Sequence, residues 1–402
     1  EAMAAPAAGA ADPRGVLRGG PPALRDLAER EPAAQETEAG ALNRVDQHLQ
    51  ALGLDYSRRV QRAFYTAMKV NETTQMAVLA GISGTGKSQL PRRYAEAMGI
   101  GFLQVPVQPR WDSPQDLMGF YNYIESRFRP TDMARALYRM DAWNGPDHSG
   151  PLQDRMLLIL LDEMNLARVE YYFSDFLSRL ESRPSPAEAG DAGRRKDAEI
   201  ELEIPMPPGE DTPRIFPGYN LLFAGTMNEA ERTQALSDKV VDRANVLRFG
   251  APRSIDLPEN QAAPPAPPGP LALTQWQGWV RGTAGLQIHG GDLEDRLKRA
   301  VELMRKLDRP IGHRLGAAIR AYVANYPAEG QAPPLEALAD QVEMRLLPKL
   351  RGVDLDAAEG SLDDLRRFVG DDLGDEALAD AIKESMDASR DTMQFVWRGV
   401  AR

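Results

Sequence analysis

Gly81, Gly86, Lys87 and Ser88, within Val78–Leu90 (VLAGISGTGKSQL), satisfy the spacing G-x-x-x-x-G-K-[ST], that of a loop built to hold phosphate. The chemistry explains the residue types. Gly81, Ser83, Gly84, Thr85 and Gly86 let the backbone curl so that successive N–H groups point at phosphate oxygens, with the positive end of the following helix behind them. Lys87 is placed to neutralise the β- and γ-phosphates, and the Ser88 hydroxyl to ligate Mg²⁺. The plain alternative is a glycine-rich strand-to-helix turn that binds nothing. The apolar run before the loop and the helix-forming segment after it favour the phosphate reading.

A second set of residues supplies what such a loop lacks. Met156–Asn165 (MLLILLDEMN) is an unbroken apolar run that ends in two acids. Asp162 would hold Mg²⁺ through its water shell, and Glu163 would polarise an attacking water. Asn220–Asn228 (NLLFAGTMN) is a further apolar run, and its last residue, Asn228, would orient that water. Arg243 closes Ala235–Arg243 (ALSDKVVDR), read as a helix; an arginine there can stabilise transition-state charge on a neighbouring subunit's nucleotide, or be a surface cation. Arg314, early in a helix, would reach back to the phosphates. Arg194, Arg195 and Lys196 form a basic trio in a loop, solvated or touching a polymer in a central pore.

These groups need a scaffold, and the rest of the chain reads as one. An apolar run ending in charged residues is a strand buried on both faces of a parallel sheet, and ligands gather at its carboxyl end. The expected fold class is therefore α/β, a three-layer sandwich with a central parallel sheet followed by a small helical lid. Residues 1–41, rich in Ala, Pro, Gly and Glu, read as a disordered tail or linker with a short helix near 23–31. Residues 42–251 form the nucleotide-binding core, with insertions near 106–150 and 182–215. In the second insertion Ile200–Ile204 (IELEI) alternates as one arm of a hairpin. Residues 252–272 are a proline-rich linker, and 273–402 hold the lid and C-terminal helices, with Phe395–Val400 extended.

Composition sets outer bounds. The 402 residues carry a net charge of −11, no cysteine and four histidines. Disulfides, thiolate metal sites and a cysteine nucleophile are excluded, which suits a cytoplasmic protein. The acidic balance argues against a broad nucleic-acid surface. No apolar run approaches the roughly 20 residues of a transmembrane helix, so no membrane role is expected.

Taken together, the order AGISGTGKS, LLDEMN, GTMNEAER, DKVVDR and GHR resembles the AAA+ NTPases, and more narrowly the McrB family, from about residue 45 to 352. That family's signature loop reads MNTADR. Here it reads MNEAER, keeping Met227, Asn228, Ala230 and Arg232, with Glu229 and Glu231 replacing Thr and Asp. The segments WDSPQDLMGFYNY, IGHRLGAAIRAY and LLPKLRG resemble the family's aromatic segment and lid, with Arg314 in the sensor-2 place. The resemblance implies a hexameric ring with a nucleotide at each interface. Lys87, Ser88, Asp162, Glu163 and Asn228 would act within one subunit, Arg243 would come from its neighbour, and Arg232 joins the catalytic set. It implies Mg²⁺, ATP or GTP as substrate, and an McrC-like nuclease partner. DNA would be reached through that partner or through a recognition domain that the first 40 residues are too short to form. Two other functions remain open, a MoxR-like ATP-dependent remodelling chaperone and a nucleotide-gated scaffold without turnover.

Overall fold

The apolar run before Asp162 is buried on both sides: Leu157, Ile159 and Leu161 face one hydrophobic layer, and Leu158 and Leu160 face the other. The computed structural model describes residues 13–145, 150–206, 209, 211–228, 236–249, 263–284, 286, 293–328 and 334–400. Its centre is a five-stranded sheet of β1 (Met76–Gly81), β2 (Gly101–Pro106), β3 (Leu157–Asp162), β4 (Leu221–Asn228) and β5 (Ala244–Phe249). The strands lie in the order β2-β3-β4-β1-β5 and every pairing is parallel. One strand, β4, therefore separates the strand that leads into the glycine loop from the strand that ends in the acids. The fold is an α/β three-layer sandwich around a parallel sheet, with a helical region following it.

The period-two pattern repeats along the sheet. In β1, Met76, Val78 and Ala80 face one layer while Ala77 and Leu79 face the other; in β4, Leu221 and Phe223 alternate with Leu222 and Ala224. Five helices in the two layers cover these faces, and a sixth element caps the β2 edge. That element is α1 (Pro22–Glu29), whose Leu24 and Leu27 are buried. It is the short helix expected near residues 23–31, but its two buried leucines, three apart, pack it onto the sheet instead of leaving it in a disordered tail; residues 1–12 lie outside the described residues.

On the first side lie α2 (Glu38–Ala51), α3 (Arg58–Lys69) and α4 (Gln89–Met98). Their starts follow local capping chemistry. Thr37 accepts from the Gly40 N–H at 3.1 Å and Ser57 from the Val60 N–H at 3.3 Å. Helix α4 stops at Gly99, whose φ of 75° ends it in the left-handed region. On the second side lie α5 (Asp132–Met140) and α6 (Ser174–Glu181). The described residues of the two segments expected as insertions hold secondary structure of their own. The first holds a hairpin of Gly119–Asn122 and Arg127–Pro130, after a helical turn that starts at a Ser113–Asp116 capping box. In the second, the predicted hairpin arm pairs only over Ile200–Glu201 with Arg214–Ile215. Of the helix expected over Ala235–Arg243, the described residues 236–243 form only the single turn Asp238–Val241, and residues 229–235 lie outside the described residues.

The helical region contains α7 (Leu293–Lys306), α8 (His313–Asn325) and α9 (Glu336–Gln341). Helix α9 widens into a π turn over Val342–Leu346 and tightens to a 3-10 turn at Leu347–Leu350, where Pro348 ends it. Then come α10 (Leu355–Arg367) and α11 (Glu376–Ala388). These helices share one continuous apolar core with the first face of the sheet. Polar ties reinforce it: Arg59 on α3 reaches Asp340 at 2.7 Å and Asp375 at 2.6 Å. The tail packs as the extended segment expected, with Phe395, Trp397 and Val400 buried and Val400 bridging to Phe249 at the β5 edge. Part of the proline-rich stretch also packs, since Leu271 is buried and its N–H donates to the Gly99 carbonyl at 2.7 Å.

The end of α3 carries a buried cation. The Lys69 ammonium, 0% exposed, lies 2.7 Å from a Glu38 carboxylate oxygen. Burial pulls its pKa below the usual lysine range, and Glu38 opposes that pull. Replacing Glu38 by Ala leaves the ammonium uncompensated and is expected to cost about 3–5 kcal/mol. Glu38→Leu combined with Lys69→Met should recover most of that loss, both read from urea unfolding midpoints; equal midpoints for wild type and Glu38→Ala would contradict the assignment.

Candidate functional site

Parallel register brings the chemistry to one edge. Gly81 at the end of β1 sits opposite Asn228 at the end of β4, and Asp162 at the end of β3 sits opposite Pro106 of β2. Each predicted group thus leaves a strand at the carboxyl edge, where loops and helix starts converge.

The glycine loop is shaped by two close approaches. Gly81 has φ 149°, and a Cβ there would lie 2.5 Å from the Phe249 carbonyl oxygen, so only glycine lets β5 pair this closely. Gly86 has φ 81°, and a Cβ there would collide with the Tyr56 hydroxyl, which donates to the Gly86 carbonyl at 2.8 Å. Burial pushes the Tyr56 phenol up to about 12, so it remains a donor at neutral pH. Gly84, at φ 86°, is open to solvent on its Cβ side. Ser83 is exposed and Thr85 half-buried, with the Thr85 hydroxyl donating to the Ile82 carbonyl at 3.0 Å. Lys87 is buried, and its ammonium lies inside the loop's curl against the Ile82 carbonyl, 3.4 Å from the Thr85 hydroxyl. Helix α4 begins directly after Ser88.

Ser88 and Asp162 meet. The Ser88 hydroxyl donates to Asp162 Oδ1 at 2.8 Å, the Thr226 hydroxyl donates to the same oxygen at 2.6 Å, and the Gln104 amide donates to Oδ2 at 2.6 Å. One carboxylate and one hydroxyl beside a phosphate loop are hard oxygen donors of the kind that hold Mg²⁺ together with substrate phosphates and water. Among the described residues no cluster of three or more His, Cys, Asp or Glu could cage a metal by itself, which fits a cation that arrives with the phosphates.

Glu163 follows in a strained conformation, with φ 53° and ψ 45°. Its N–H donates to the Thr226 hydroxyl at 2.8 Å, and its exposed carboxylate accepts from the Asn228 amide at 2.8 Å. Asn228 is fixed in turn by buried Asn165, which accepts from the Asn228 N–H at 3.2 Å and donates to its carbonyl at 2.8 Å. Thr226, Gln104, Asn165 and Tyr56 were not picked out from the sequence. Thr226 and Gln104 carry a legible signal, a lone polar residue inside an apolar strand. Tyr56 carries none.

The arginines stand elsewhere. Arg243 directly precedes Ala244, which pairs with Met76 at the start of β1. At about 3.3 Å per residue, β1 puts roughly 16 Å between that level and Gly81. Arg243 donates from Nε to Glu181 at 2.8 Å, and its NH2 lies 2.6 Å from the same oxygen. Arg314, carried by α8, ion-pairs with the other Glu181 oxygen and lies 3.9 Å from Asp242. Burial raises the Glu181 pKa, but hydrogen bonds and charge from Arg243 and Arg314 overcome it and hold the carboxyl below its ordinary value. The structure thus groups Lys87, Ser88, Asp162, Glu163 and Asn228 at one end of the sheet, and Arg243 with Arg314 at the other. Arg232 lies outside the described residues. Within the basic trio, Arg194 pairs with Glu188 at 2.6 Å, while Arg195 is covered by Phe216 and Trp143, 4.5 and 5.2 Å from the ring centres.

Comparison with known proteins adds little beyond this geometry. A family described as a domain of unknown function, DUF8727, matches residues 284–399, within the helical region. No curated protein matches. A solved structure from Cytophaga hutchinsonii, provisionally described as an ATPase, is similar at a TM-score of 0.38 and 14% identity, over 70% of this chain and 79% of that one. Among the described residues no helix is long and apolar enough to cross a membrane.

The Gly86 contacts give a direct test of the loop. Gly86→Ala would strain the left-handed turn by about 1–3 kcal/mol and push against Tyr56. Binding of a fluorescent magnesium–nucleoside triphosphate is expected to weaken roughly ten- to a hundredfold with the circular dichroism spectrum unchanged. Undiminished binding would show that the loop does not hold the phosphates.

Proposed function

We propose that this chain is a magnesium-dependent nucleoside triphosphatase of the AAA+ kind that works between subunits, as the motor of an McrB-like DNA-targeting complex using ATP or GTP. The observation that supports it best is the coupled pair of contacts at the carboxyl edge, Ser88 to Asp162 and Asn228 to Glu163, one strand from the glycine loop. The chain's own residues divide the work. Lys87 and the loop amides bind and orient the phosphates. Ser88 and Asp162 would hold Mg²⁺, which would supply positive charge to offset that of the phosphates. Glu163 accepts the proton of the attacking water, and Asn228 keeps the carboxylate in position to do so. Thr226 locks the two acids together, because its hydroxyl accepts from the Glu163 N–H while donating to Asp162. Arg243 is too far from its own loop to serve it, which favours action on a neighbour's nucleotide in a ring.

The McrB-like role rests on the sequence of the MNEAER loop, in which Asn228 would orient the water, and it brings with it a McrC-like nuclease partner and DNA reached through that partner. One observation favours the remodelling reading instead. The first hairpin exposes an apolar tip, with Tyr123 69% and Ile124 97% exposed and Phe120 49% exposed beside them. Such a tip suits contact with a polypeptide better than with a phosphate backbone.

Glu163→Gln is expected to bind nucleotide as wild type does and to lose turnover by roughly 10²–10⁴-fold, measured by phosphate release. Normal release by that variant would remove Glu163 from the mechanism. Arg243→Ala mixed into wild-type protein at fixed total concentration should depress turnover more steeply than its mole fraction. A strictly proportional fall would place catalysis within single subunits.

A further inference from the structure

Around Glu181 three parts of the molecule meet: the end of α6, the turn before β5 and the start of α8. Glu181 Oε2 takes the Nε and NH2 edge of Arg243, at 2.8 and 2.6 Å, and the remaining nitrogen, NH1, donates to the Lys239 carbonyl at 3.1 Å. The other carboxylate oxygen takes Arg314. The turn that carries Arg243 is held from the same side. Buried Arg345 donates to the Asp242 carbonyl at 2.9 Å and to the Ala244 carbonyl at 3.1 Å, and the Lys349 ammonium ion-pairs with the Asp242 carboxylate. Three cations of the helical region, Arg314, Arg345 and Lys349, thus close on the two residues that flank Arg243.

We propose that Glu181 is the positioning residue for Arg243, and that by sharing its carboxylate with Arg314 it makes the orientation of Arg243 follow the helical region. This rests on the reading that Arg243 acts on a neighbouring subunit's nucleotide. A guanidinium offers two paired hydrogen-bonding edges. Glu181 occupies the Nε edge and fixes the plane, leaving the NH1–NH2 edge, whose NH1 rests on the Lys239 carbonyl, as the one that suits a phosphate oxygen. Without the carboxylate, Arg243 keeps only its bond to Lys239 and faces a second guanidinium of like charge. A shift of the helical region that draws Arg314 away changes what Glu181 can give to Arg243. A shift of the helical region is thereby passed to the arginine offered to the next subunit.

The test is complementation between subunits. Glu181→Gln is expected to lower kcat roughly 10- to 100-fold with KM changed by less than about threefold, as a defect in an arginine used only in the transition state would. Glu163→Gln chains, inactive themselves but carrying an intact Arg243, are then added. Turnover per Glu181→Gln chain should rise several-fold, as it should for Arg243→Ala chains treated alike. Wild-type turnover by Glu181→Gln alone, with Arg243→Ala inactive, overturns this inference and leaves the proposed function standing. So does a Glu181→Gln defect that Glu163→Gln chains fail to rescue while rescuing Arg243→Ala. If Arg243→Ala turns over like wild type, the reading beneath fails and this one with it. Should Glu181→Gln lose its cooperative unfolding transition, Glu181→Asp, which keeps the charge and shortens the reach, carries the same comparison.

Discussion

Everything at the candidate site depends on β4 lying between β1 and β3 in parallel register. That arrangement sets Asn228 beside Gly81 and carries Thr226 to within hydrogen-bonding reach of both acids. A single hydroxyl then does two jobs, donating to Asp162 and accepting from the N–H of Glu163. The second of these bonds holds Glu163 in a left-handed backbone conformation that a non-glycine residue adopts only under constraint. Strain at a residue whose carboxylate is exposed and hydrogen-bonded across strands is what a preorganised base requires. The burial of both sheet faces supports this, since rigid strands fix side chains better than loops do.

The opposite end of the sheet is organised by charge instead. Glu181 and Asp242 are two anions among Arg243, Arg314, Arg345 and Lys349. Arg345 is buried with carbonyl and hydroxyl partners, and burial draws its pKa down to about 10, with the Asp242 charge opposing that pull. It stays protonated at neutral pH, and its hydrogen bonds to both strand and turn make the helical region part of the core. On the proposed function, the two ends of β1 and β5 would carry complementary duties, nucleotide chemistry at one and subunit-to-subunit signalling at the other. A parallel sheet is a natural strut between them.

Much of this was legible in the sequence, for particular reasons. The phosphate loop and the acid pair are contiguous motifs whose chemistry depends on neighbours in the chain, and the strands that present them are unbroken apolar runs. Asn228 could be placed because it ends such a run. What stayed hidden depends on distant partners. Glu181 meets Arg243 across 62 positions and Arg314 across 133, and nothing local to Glu181 marks it. Gln104 and Thr226 stand out as lone polar residues in apolar strands, but their shared partner Asp162 is not known until the register is. Tyr56 matters only because it stands over Gly86. The packing of residues 13–41 was legible only as a short helix near 23–31, since its three buried leucines, Leu17, Leu24 and Leu27, are few among many alanines and prolines. The change of winding at Val342 has no signature in the side chains around it.

On the proposed function catalysis is shared, with the loop and acids of one chain served by Arg243 of another. Turnover of ATP and of GTP per chain, followed as protein concentration is raised with light scattering on the same samples, is the test. Shared catalysis makes specific activity climb in step with the assembled fraction. Constant specific activity down to concentrations where only single chains scatter would contradict it.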